Sequence, residues 1–139
     1  MAELYSVLIR GDIFAARSSF FAVGNFRSKL EVVDAVARLN LRKENLENWK
    51  ELYRRLDGHR RTRNSLAHFA VVVRGDLRTK HVYYLEPTWF DPGRIGLSDP
   101  IRYNFENVKN LGFEYDKTTM AIRVFTDRCR AQLQPLDHV

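Results

Sequence analysis

The last third of the chain constrains the fold most. Val108, Leu111, Tyr115, Thr118, Ile122, Phe125, Cys129 and Leu133 step by three and four, which puts them on one side of an α-helix of about 3.6 residues per turn. The spacing predicts one helix from about Phe105 to about Leu133. Asn104 is placed to cap its first amides, and Gln134-Pro135 to end it.

Upstream the same period recurs in shorter pieces. Gly11-Asp12 opens a short phenylalanine-rich helix from Ile13 to Phe21, and Gly24-Asn25 breaks it, with Asn25 as the next N-cap. From Phe26 to Leu39 a stripe of Phe26, Leu30, Val33, Val36 or Ala37, and Leu39 predicts a helix. After a polar break at Asn40 to Lys43, another is expected from about Glu44 to about Phe69. Its stripe is Leu46, Trp49, Tyr53 and Leu56, extended by Leu66 and Phe69. Gly58 inside it costs about 1 kcal/mol relative to alanine and marks a place for a bend.

The pattern then changes to a β-branched run, Ala70 to Arg74, a turn at Gly75 to Thr79, and a second run from Lys80 to Leu85. This reads as a β-hairpin. Residues Glu86 to Pro100 carry Pro87, Pro92, Pro100, Gly93 and Gly96 and read as an irregular loop, pinned to the body by Trp89 and Phe90. The expected fold is all-α: a four-to-five-helix up-and-down bundle with a small β-hairpin and loop inserted before the last long helix. At 139 residues a single domain over the whole chain is expected.

Hydrophobic content of 45% and charged content of 29% are those of an ordinary globular protein. No run approaches a membrane span and the N-terminus lacks the layout of a secretory signal, so a cytoplasmic protein is expected. Cys129 is the single cysteine, which excludes an internal disulfide. The formal net charge is +6 and the isoelectric point about 9.7, a bias toward polyanionic partners if it is concentrated on one surface. Arg54, Arg55, Arg60, Arg61 and Arg63 crowd a stretch whose one acid is Asp57. They are the candidate RNA-binding residues, with a solvated helix face as the plain alternative.

Within that stretch Arg63, Asn64 and His68 form the candidate catalytic group. Histidine can take and give a proton near neutrality, and arginine matches phosphate geometry with a fork of donors. Together they suit transesterification of RNA without metal, with His68 as base or acid, Arg63 stabilising the charged phosphorane, and Asn64 orienting His68 or binding a phosphate oxygen. On one ideal helix Asn64 and His68 share a face, but Arg63 and His68 point about 140° apart. A bend near the helix end, or a second copy related by a two-fold axis, would bring them together. The bland alternative is that His68 only satisfies terminal carbonyls and the helix dipole. His59, His81 and His138 are scattered, so no metal site and no cofactor are expected.

Arg63-Asn64-Ser65-Leu66-Ala67-His68 resembles the signature of HEPN domains: an arginine, four to six residues and a histidine, often with asparagine or aspartate after the arginine. Phe26-Arg27-Ser28-Lys29-Leu30 with the stripe that follows, and Trp49 leading through basic residues to Arg63, are similar to bacterial stand-alone members. The resemblance spans about residues 12 to 70. It implies a helical bundle that dimerises so that two motifs meet in one cleft, with Arg63 and His68 catalytic and Asn64 accessory. It further implies a metal-independent endoribonuclease of toxin–antitoxin or phage-defence type, with RNA or a nucleotide and an antitoxin or other defence protein as partners. Members that have lost activity imply the alternative, a non-catalytic dimeric module. Relatives usually have a longer first helix, so the core is expected to be completed by Leu4, Val7, Leu8 and Ile9 or by a neighbouring chain. Ala70 stands where toxins silenced by adenylylation carry tyrosine, so that control is not implied.

Overall fold

A computed structural model of the protein describes residues 1–74, 82–87 and 103–133. Five helices and a small antiparallel sheet run in the order α1 (Ala2–Ile9), α2 (Ile13–Ala22), α3 (Phe26–Asn40), α4 (Lys43–Leu66), β1 (Phe69–Arg74), β2 (Val82–Pro87), β3 (Tyr103–Asn104) and α5 (Phe105–Leu133). The fold is therefore all-α with a hairpin ahead of the last long helix. The turn at Gly75 to Thr79, the loop with Trp89 and Phe90, His81, His138 and the stop at Gln134-Pro135 lie outside the described residues. Contacts divide the chain into two compact units, Met1–Arg60 with Asp116–Val139, and Arg61–Tyr115.

In the first unit local chemistry sets the helix starts. Asp12 Oδ1 accepts from the Phe14 and Ala15 amides at 2.9 Å, and Asn25 Oδ1 from the Ser28 amide at 2.9 Å. Each side chain thereby satisfies first-turn donors that have no partner within the helix. Leu4, Leu8, Leu30, Val33, Trp49, Leu56, Phe125 and Cys129 form the core. Leu4 and Leu8 are fully buried within this chain, and Val7 packs beside them, whereas Ile9 is 36% exposed. The core is thus completed by α1 and needs no neighbouring chain at that point.

Trp49 organises this core. Its ring stacks on Phe125 at 6.1 Å between centroids, and its indole N–H donates to Asp34 Oδ1 at 2.9 Å. Arg38 Nε donates to the other Asp34 oxygen at 2.8 Å, so the carboxylate set against the core is paired as well as hydrogen-bonded. Asn45 bonds Gln132 from α5, and His59 Nε2 lies 2.7 Å from the buried Thr118 hydroxyl.

Two expectations need correction. Leu39, placed on the buried stripe of α3, is 82% exposed, and Leu41 beyond the helix is buried instead. Nine residues after Leu30, at about 100° per residue, Leu39 comes out half a turn round, so Ala37 rather than Leu39 continues the stripe. Helix α4 ends at Leu66, not at Phe69. The Ala67 amide still bonds the Arg63 carbonyl at 2.9 Å, the His68 amide turns back to Ser65 O at 3.1 Å, and Phe69 is already paired with Pro87. The β-branched run Val71-Val72-Val73 draws the chain into the ladder before the helix can finish. Gly58 does not interrupt α4.

The second unit holds the sheet, ordered β1-β2-β3. Val71 opposes Leu85, Val73 opposes Tyr83, and Leu85 opposes Tyr103 on its other side. Asn104 caps α5: its Oδ1 accepts from the Asn107 amide at 2.8 Å, and Asn107 Oδ1 accepts from the Asn104 amide at 3.1 Å. This is a capping box with asparagine in both places.

Candidate functional site

Arg63 and Asn64 sit in the last turn of α4, and His68 in the two-residue turn that joins it to β1. All three are exposed. Because the helix stops at Leu66, the 140° divergence of an ideal helix does not govern His68. Its amide instead turns back to Ser65 O. Among the described residues the Arg63 and Asn64 side chains have no hydrogen-bond or ion-pair partner. An arginine at the negative end of a helix dipole is favourable by about 0.3–1 kcal/mol whatever else it does.

The basic run is less uniform than its sequence. Arg60 is held by Asp57 through Nε at 2.8 Å and a terminal nitrogen at 2.7 Å, and its side chain is only 21% exposed. Arg55 is bonded to Glu51 one turn back. Arg54, Arg61 and Arg63 are exposed. The pairing of Arg60 follows from the three-residue spacing to Asp57, a signal present in the sequence. His59 belongs to the first unit through Thr118, and nothing in the sequence marks that contact.

Two features of the first unit are structural. Burial pushes the Cys129 thiol up to about 11, with Arg128 opposing it, so it is a protonated core residue near neutrality. A cleft of about 630 Å³ in the first unit has Glu3 and Asp127 on its wall, and both carboxylates bond Arg130, at 2.5 and 2.8 Å. Among the described residues no three His, Cys, Asp or Glu side chains converge as metal ligands, and no helix is long and apolar enough to cross a membrane.

Comparison with protein-family models, with curated proteins and with solved structures finds no match to this chain.

Proposed function

We propose that this protein is a metal-independent endoribonuclease of toxin or phage-defence type, acting on cytoplasmic RNA at a site to which two copies of the chain contribute Arg63, Asn64 and His68. The observation that carries the reading is the exposure of all three groups within six residues, with Arg63 unpaired among the described residues at the end of α4. An exposed guanidinium with no partner among the described residues is available to a phosphate, and histidine is the side-chain type suited to acid–base work near neutrality. In the proposed reaction His68 takes the 2′-hydroxyl proton and the 2′-oxygen bonds to phosphorus. The phosphorus–5′-oxygen bond breaks, and the 5′-oxygen leaves with a proton from the second histidine. Arg63 donates to the phosphorane oxygens.

Cleavage of single-stranded RNA in EDTA tests this. Products should carry a 2′,3′-cyclic phosphate and a 5′-hydroxyl. His68→Ala should lower the rate by about 10²–10⁴, the usual weight of general acid–base help, while circular dichroism stays unchanged. Arg63→Lys should also be damaging, because lysine keeps the charge without the planar fork. Equal residual cleavage by wild type and His68→Ala would assign it to a contaminant and end the enzymatic reading.

A further inference from the structure

We infer that one side of the sheet β1-β2-β3 is a stacking platform for the bases of single-stranded RNA. It would hold nucleotides next to the bond addressed by Arg63 and His68. The inference rests on the reading of those residues as an RNA site, and it needs binding there rather than cleavage.

The platform follows from the register. Directly paired residues lie on the same side of an antiparallel ladder, and successive side chains alternate. Val71 pairs with Leu85 and Leu85 with Tyr103, so the three share one side. Phe69 and Tyr83 stand two residues from Val71 and Leu85 and join them. Every described side chain on this side is therefore aliphatic or aromatic. The Phe69 and Tyr103 rings meet at 5.7 Å between centroids, tilted by 51°. Tyr83 is 59% exposed and Val71 67% exposed. Rings so arranged span about 13 Å along the strands, from the level of Phe69 to that of Tyr83, at about 3.3 Å per residue. The near end is one peptide from His68.

Single-stranded RNA fits this surface better than a protein does. Bases stack on exposed aromatic faces without regard to sequence, while arginines follow the backbone. Arg63, in the same unit, supplies a cation for the phosphates, and no carboxylate stands among the described side chains of this side. Among the described residues of this side, the exposed Val71 and Tyr83 offer on the order of 200 Å², against the roughly 800 Å² per partner of a stable protein interface.

The test is the affinity of a fluorescein-labelled single-stranded RNA decamer, read by anisotropy in the uncleaving His68→Ala background. Adding Tyr83→Ala or Tyr83→Leu should weaken binding about 5- to 150-fold, as loss of one stacked base does. Tyr83→Phe should bind like the background. The slope of log K against log salt should stay the same in all of them, because the phosphates keep their cations. Photocrosslinking of 4-thiouridine-labelled RNA to otherwise unaltered protein should fall on peptides containing Phe69, Tyr83 or Tyr103, which keeps the test open should a Tyr83 variant misfold. RNA binding that ignores both Tyr83→Ala and Tyr83→Leu, or crosslinks confined elsewhere, would overturn the platform while leaving the Arg63–His68 site standing. Rescue by leucine, or a change of oligomeric state in Tyr83→Ala, would assign the face to a protein contact. Binding without cleavage by wild type would end the nuclease reading and leave the platform. No binding at all would end both.

Discussion

At the scale of single residues, Trp49 and Cys129 were legible because each falls on a helical stripe, and both are fully buried. The partners of Trp49 were not. Nothing in the spacing of Asp34 and Trp49, fifteen residues apart, says that an indole N–H will find that carboxylate. Trp49→Phe should cost about 1–3 kcal/mol in urea denaturation by removing a donor to a charged acceptor. Trp49→Ala should cost about 3–5 kcal/mol by opening a cavity as well. Cys129 gives a pH signature. Its thiol is raised to about 11 in the fold from an ordinary value near 9. The folded state thus holds this proton more tightly than the unfolded chain does. The associated stability is complete below pH 9 and declines as pH rises toward 11. The check is a comparison of wild type with Cys129→Ala in urea melts at pH 7, 9 and 11, which isolates the thiol from every other group. The decline should be shallower in the variant, and an equal decline would mean that the buried thiol is not its source.

At the scale of elements, periodicity located the helices, and their ends depended on chemistry that was only partly visible. The caps at Asn25 and Asn104 could be read directly, because asparagine before a periodic run satisfies first-turn amides. The end of α4 could not, since Leu66 and Phe69 fit the helical period equally well and the ladder with Pro87 decides between them. That competition is long-range, and no local window contains it. Asp12 accepts from two amides, so Asp12→Ala should cost about 1 kcal/mol. In a chain of this size that lowers the melting temperature by about 2–4 °C, measurable by circular dichroism. Asp12→Asn should recover most of the loss, because the amide oxygen can accept the same bonds.

At the scale of the whole molecule, the charge of +6 overstates what is available to a polyanion. Arg60 is committed to Asp57 and mostly buried, so Arg60→Ala should destabilise the fold and leave the salt dependence of RNA binding almost unchanged. Arg63→Ala should do the reverse, flattening the slope of log K against log salt by about 0.7 for each single-strand phosphate it no longer neutralises. The ground for a second copy is equally specific. Leu4 and Leu8 fill the core from within the chain, so α1 itself gives no reason to dimerise, while Phe14, Phe21, Phe105, Phe113, Met120 and Val124 leave apolar surface exposed. The chemistry gives a separate reason: one motif carries a single histidine, whereas the proposed reaction needs both a base and an acid. If one cleft takes a His68 from each copy, mixing wild type with an equal amount of His68→Ala protein should cost more than dilution does. Only one pair in four would keep both histidines, so about a quarter of wild-type cleavage is expected from a two-fold dimer, against about half if each chain worked alone. Light scattering on the same samples should report dimers. Monomers at micromolar concentration, or cleavage at about half the wild-type level, would put every working group of a site in a single chain and remove the composite site.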